Sequence, residues 1–169
     1  MKHTGMRPHL RGFTLIELVI TLALVGLLSM FTLPLYDMAV TRFKEHELRQ
    51  ALRTIRDGID AYKAAADSGK IPRDAGESGY PKTLEQLTEP IELAAKPDLN
   101  TSVAAQRMVI LRKLPRDPFN DEPDMTAEMT WSTRAYASRS DDPRPGADVF
   151  DVTSKSDRKS LDGTVYSSW

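Results

Sequence analysis

Two hydrophobic patterns follow one another along the chain. From Phe13 to Tyr36 the run FTLIELVITLALVGLLSMFTLPLY is apolar on every side, interrupted by Glu17 and a few hydroxyls. As an α-helix it would span roughly 36 Å at 1.5 Å per residue, more than the ~30 Å hydrocarbon core of a bilayer. Further on, Leu48, Leu52, Ile55, Ile59 and Tyr62 recur at alternating spacings of four and three. That is the stripe of an amphipathic helix, with Arg49, Gln50, Arg53, Arg56, Asp57 and Asp60 available for its wet side. Read as one helix from Phe13 to about Ala66, the two patterns make an element of roughly 80 Å.

Two residues weaken that helix. Pro34 lacks a backbone donor and predicts a kink, and Gly26 costs about 1 kcal/mol relative to alanine. The stretch between them reads either as a tolerated membrane kink or as a segment able to unwind.

The pattern then breaks up. Asp67-Ser68-Gly69 ends the helix, and a loop rich in glycine and charge runs to Gly79. Thr83-Leu84-Glu85-Gln86 has capping-box spacing and predicts a short helix through about Thr88. A second helix is expected from about Ser102 to Lys113, with turns over Leu114–Asn120. Strands are expected at Met129–Ala137 and Asp148–Thr153, separated by the turn-forming run 140–146, with a third at Thr164–Trp169. The economical fold is α+β: a long amino-terminal helix, half membrane and half amphipathic, whose outer half packs against a small antiparallel β-sheet. Phe119, Trp131, Tyr136, Val149, Phe150 and Trp169 would supply much of the interface; a carbohydrate or peptide site built on the two tryptophans is the alternative use.

Charge changes the picture at the amino end. The 169-residue chain has a net charge of −1, so composition gives no support for nucleic-acid binding. Cysteine is absent, which removes disulfides, thiolate metal sites and cysteine catalysis. Lys2, Arg7 and Arg11 precede the apolar run without a compensating acid, so the positive-inside rule places the amino end in the cytoplasm. The apolar run exceeds the ~7–15 residues of a secretory signal peptide and lacks an A-x-A-like cleavage site. An ordinary signal anchor fits the length yet leaves Glu17 unexplained, because a charge near the bilayer centre costs at least ~2.5–3.5 kcal/mol.

Gly12-Phe13-Thr14-Leu15-Ile16-Glu17, set between a short basic leader and a membrane-length helix, closely resembles the processing site of type IV pilins and type II secretion pseudopilins. The resemblance implies cleavage by a prepilin peptidase between Gly12 and Phe13, and N-methylation of Phe13. It divides the chain into a cleaved basic leader (1–12), a transmembrane and assembly segment (13–36) and a periplasmic domain (37–169). The new amine at Phe13 would lie one helical turn from Glu17. A paired charge in low dielectric escapes the penalty on an isolated one, so Glu17 meeting the amine of a neighbouring subunit would set register. An intrachain pair and a snorkelling Glu17 are the alternatives. By the same resemblance, Gly26 and Pro34 bound a segment that unwinds in the filament.

Tyr80-Pro81 ahead of Leu84 and Leu87, then Lys113-Leu114-Pro115-Arg116-Asp117-Pro118-Phe119 and the closing DVFDVTSKSDRKSLDGTVYSSW, look like the major pseudopilin of type II secretion. That resemblance implies a pilin-like fold and calcium in the last loop. Ser154, Asp157, Ser160 and Asp162 offer oxygens within nine residues, and calcium takes roughly 6–8. The family's glycine-rich spacing is not reproduced, however, and Lys155, Arg158 and Lys159 intervene, so a plain solvated loop is the other reading.

No enzyme is expected. His3 and His9 fall in the leader, His46 stands between Glu45 and Glu47 on the long helix, and no nucleophile elbow, phosphate loop or paired-histidine motif occurs. The expectation is a single-pass inner-membrane precursor that becomes the subunit of a periplasmic filament driving protein export. The resemblance implies as partners further copies of the chain, the peptidase, an inner-membrane platform with a cytoplasmic ATPase, and minor pseudopilins. A type IV pilus subunit and a signal-anchored periplasmic binding domain that never polymerises are the alternatives.

Overall fold

The computed structural model describes residues 12–94 and 107–169. The expected leader up to Arg11, with Lys2 and Arg7, lies outside the described residues, as does the stretch 102–106 that opens the second expected helix. The chain divides into two compact units, Met1–Val40 and Thr41–Trp169. One helix, α1 (Leu15–Asp67), carries both hydrophobic patterns, with Pro34 inside it.

In the second unit the predicted stripe becomes the centre of the core. Leu48, Leu52, Ile55 and Ile59 are buried, and Tyr62 packs at their edge. Leu84, Leu87, Leu114, Phe119, Trp131, Val149, Val152 and Tyr166 complete the same cluster. Each such aliphatic or aromatic side chain contributes about 1.5–3 kcal/mol on burial. Arg49, Gln50, Arg53, Asp57 and Asp60 stay exposed, whereas Arg56 is half-buried. A smaller cluster of Ala65, Ala66 and Ile71 closes the end of the helix. Gly69, at φ +70°, takes the left-handed conformation that lets the chain leave it.

The sheets are small. Strand β1 (Ile91–Glu92) pairs antiparallel with β2 (Arg107–Met108). Strand β3 (Trp131–Arg134) pairs antiparallel with β4 (Asp151–Ser154), placing Trp131 opposite Ser154 and Thr133 opposite Val152. One long helix with small antiparallel sheets is the α+β, pilin-like arrangement expected.

Four local expectations are corrected. Where a helix was expected over Ser102–Lys113, the described part begins as strand β2, and the Leu111 N–H donates to the Leu87 carbonyl at 2.8 Å. Pairing with β1 and the Leu87 loop satisfies the backbone that a helix would have satisfied internally. Thr83 caps nothing. Gln86 Oε1 instead accepts from the Lys82 N–H at 2.7 Å, and Glu128 Oε1 takes the Leu84 N–H at 2.8 Å, leaving one 3-10 turn at Glu85–Leu87. The third strand is absent among the described residues. Val165 makes an isolated bridge to Lys159, and Tyr166–Ser168 form a 3-10 turn. A strand would send Tyr166 and Trp169 to opposite faces, whereas a 3-10 turn aligns positions i and i+3. Tyr166 is thereby stacked on Phe119, with ring centroids 4.0 Å apart, while Trp169 meets Tyr166 edge-on at 5.1 Å. The aromatic interface is also smaller than expected. Tyr136 is 59% exposed, and Phe150 and Trp169 are only half-buried.

Candidate functional site

The apolar half of α1 opens with a cap. Thr14 precedes the helix, and its Oγ1 accepts the backbone N–H of Glu17 at 3.3 Å while its carbonyl takes the Leu18 N–H at 3.1 Å. Thr14-x-x-Glu17 is the capping spacing, and an acid in the first turn suits the positive end of the helix dipole. Glu17 therefore has a local role besides the pairing inferred for it. The T-x-x-E pattern was present in the sequence and could have signalled the helix start.

Beyond the cap the segment is naked. Phe13, Leu15, Leu22, Leu28 and Phe31 are all more than half exposed. Its hydroxyls are turned inward on the helix. Thr21 donates to the Leu18 carbonyl at 2.9 Å, Ser29 to Val25 at 2.8 Å and Thr32 to Leu28 at 3.1 Å. In hydrocarbon, where water cannot serve, such back-bonding satisfies each donor. A Cβ added at Gly26 would meet nothing within 4 Å, so packing within this chain does not require a glycine there. Pro34 leaves the Met30 carbonyl without its usual donor. This helix is long and apolar enough to cross a membrane, and its exposed apolar surface calls for lipid or other helices to cover it.

The carboxyl-terminal loop is built differently from a cation site. Ser154 is buried and its hydroxyl donates to Asp117, itself buried, whose other oxygen accepts the Phe119 N–H at 2.8 Å. Ser160 and Thr164 both donate hydroxyls to Asp162 Oδ1, which also accepts the Thr164 N–H at 3.0 Å. These bonds, those from Ser160 and Thr164 above all, hold the Asp162 carboxyl down at about 2. Asp157 is exposed. Among the described residues no cluster of three or more acidic or histidine side chains is arranged to hold a metal ion. Of the four residues singled out for calcium, Ser160 and Asp162 meet each other, whereas Ser154 turns to Asp117 and Asp157 is exposed.

Sequence reasoning missed the residues that anchor this loop. Glu45, on the stripe side of α1, is 7% exposed; Oε1 accepts the Leu161 N–H at 2.8 Å and the Tyr166 hydroxyl at 3.0 Å. Burial, with the bond to Glu45, pushes the Tyr166 phenol up to about 12. Arg56 donates to Asp151 at 2.8 Å, to the Val152 carbonyl at 3.0 Å and to the Trp169 carbonyl at 2.6 Å. Glu45 lies three residues before Leu48 and Arg56 four after Leu52, so the helical period places both beside the core stripe. Trp131 is 2% exposed, with its indole N–H on the Pro115 carbonyl at 2.9 Å, so it is not available to a carbohydrate or peptide site shared with Trp169. His46 is exposed.

Comparison with known proteins bears on the amino-terminal segment. Residues 7–33 match the prokaryotic N-terminal methylation motif, a stretch that includes Gly12, Phe13, Glu17 and Gly26. The chain is 31% identical over 96 residues to the type IV major alpha-pilin of Moraxella bovis, covering 57% of this chain and 58% of that protein. No solved structure matches significantly. The motif and the pilin similarity support a type IV pilin-like protein.

Proposed function

We propose that this chain is the structural subunit of a pseudopilus, a short periplasmic filament that drives protein export through type II secretion. The observation that carries the reading is the methylation motif laid over an apolar helix with no cover of its own. Prepilin peptidase cuts after Gly12 and the new amine of Phe13 is methylated. The subunit waits in the inner membrane, amino end cytoplasmic and lobe periplasmic, with the 13–36 segment in lipid. Extraction of that segment is costly unless a bundle of like helices receives it, and the Glu17 carboxylate meeting a neighbour's Phe13 amine makes one register favourable. Between Gly26 and Pro34 the helix has its weakest backbone and can unwind as subunits stack. A membrane platform, a cytoplasmic ATPase and minor pseudopilins complete the machine.

A type IV pilus subunit is the second reading, favoured by similarity to a protein named as a type IV pilin. Absence of cysteine favours the pseudopilus, since many pilus-forming subunits secure their carboxyl region with a cysteine pair. The decisive measurement is the intact mass of the membrane-extracted protein from cells with and without the peptidase. A peptidase-dependent species that starts at Phe13 and carries one added methyl group is expected. A chain left uncut, or cut after the apolar segment, would leave an anchored or secreted domain instead. Deleting the gene and assaying exported enzymes against surface pili separates the two filament readings, and Glu17→Ala should abolish assembly at normal protein levels.

A further inference from the structure

We propose that the last loop of this chain is closed by charges carried on α1, with the Arg49 guanidinium in the role of a bound divalent cation, so that the lobe orders its carboxyl end without a metal. The inference stands on contacts within the Thr41–Trp169 unit and does not depend on the filament reading.

Three residues of α1 hold the loop. Glu45, Arg49 and Arg56 stand at i, i+4 and i+11, within roughly 40° of one another around a helix of 3.6 residues per turn. Glu45 takes the Leu161 N–H and the Tyr166 hydroxyl. Arg49 lies 4.0 Å from Asp162 Oδ2 and stacks over the Trp169 ring, 4.3 Å from its centroid. Arg56 clasps Asp151 and the carbonyls of Val152 and Trp169. Within the loop, the Trp169 indole donates to Thr164 Oγ1 at 2.8 Å and the Ser160 N–H to the Thr164 carbonyl at 2.8 Å, which shuts the turn around Gly163.

The donor chemistry argues the same way. Calcium is held by roughly 6–8 oxygens, typically including several carboxylates. Asp162 Oδ1 already accepts three donors from its own loop, Oδ2 faces a guanidinium, and the Ser154 hydroxyl is engaged by Asp117. Lys155, Arg158 and Lys159 add three positive charges to the same segment. Arg49 supplies what a cation would supply, a positive charge beside Asp162. It also stacks on an aromatic ring, as a planar guanidinium does well.

The test uses the full chain in detergent micelles. Thermal unfolding, and the rate of tryptic cleavage at Lys155, Arg158 and Lys159, are measured with calcium in excess and with EDTA. Terbium emission excited through tryptophan serves as a direct probe of metal binding. Identical melting and cleavage in both solutions, and no terbium signal that calcium displaces, are expected. Arg49→Gln should speed loop cleavage roughly two- to five-fold, as loss of a partly exposed pair implies, with Arg49→Lys falling between it and the parent. A calcium-dependent rise of several degrees in Tm, calcium-dependent protection from trypsin, or terbium emission quenched by calcium would overturn the proposal. So would an Arg49→Gln chain cleaved at the parental rate. If that variant fails to fold, the metal measurements on the parent chain decide alone.

Discussion

Tyr166→Phe removes one oxygen from the lobe and leaves its packing in place. The Tyr166 ring is 1% exposed and stacked on Phe119 with the planes 20° apart, a contact that phenylalanine reproduces. What disappears is the 3.0 Å hydrogen bond to Glu45 Oε1, a carboxylate that is itself buried and keeps only the Leu161 N–H on that oxygen. Hydrogen bonds to charged groups contribute about 1.5–3 kcal/mol, and a buried acceptor left short of a donor adds to the loss. A destabilisation of roughly 1.5–3 kcal/mol corresponds to a Tm about 3–12 °C lower for a chain of this size. Near-ultraviolet circular dichroism of the full chain in micelles reads the transition. The phenol also carries a pH signature. Its pKa in the folded state is raised to about 12 from an ordinary value of 10.0, so the stabilisation is complete below the lower value and is lost as pH climbs towards the higher one. Tyr166→Phe should lack that alkaline decline. In a double-mutant cycle with Glu45→Ala the two substitutions should be non-additive, since each removes the same bond. A Tm within about a degree of the parent, or strictly additive effects, would refute the tether.

Other outcomes test other parts of the account. Ile55→Ala, at a fully buried stripe position, should cost about 2–5 kcal/mol in denaturant unfolding, whereas Asp57→Ala on the exposed side should cost under about 0.5 kcal/mol. Thr14→Ala removes the cap on the Glu17 N–H; at about 0.5–2 kcal/mol, amide exchange at Glu17 should quicken roughly two- to thirty-fold, and an unchanged rate would deny the cap. The Asp162 carboxyl should titrate near 2 by NMR. Because that value is depressed, its contribution is present above the ordinary carboxylate range and lost as pH falls towards 2, and Thr164→Val should move the titration upward.

Periodicity alone determined the long helix. The switch from an all-round apolar run to a stripe at Leu48, Leu52, Ile55 and Ile59 says where lipid or protein must cover each half, because burial follows the 3.6-residue repeat. The methylation motif matched over residues 7–33 was equally legible at Gly12–Glu17, since such a motif is local. Tertiary structure alone decided the rest. That Arg107–Met108 pair as a strand and Leu111 bonds outside any helix depends on β1 and Leu87, which supply hydrogen-bond partners from elsewhere in the chain. Tyr166–Ser168 became a turn because two rings had to face the same way. Glu45, one acid among the exposed-looking residues of α1, became a buried anchor when Tyr166 and Leu161, more than a hundred residues away, folded onto it. Which protein groups meet the Ser154 and Asp162 oxygens was likewise set in space, Asp117 for the one and Ser160 and Thr164 for the other. Local spacing fixes the phase of a helix, while the pairing of polar groups depends on which long-range neighbours desolvate them together.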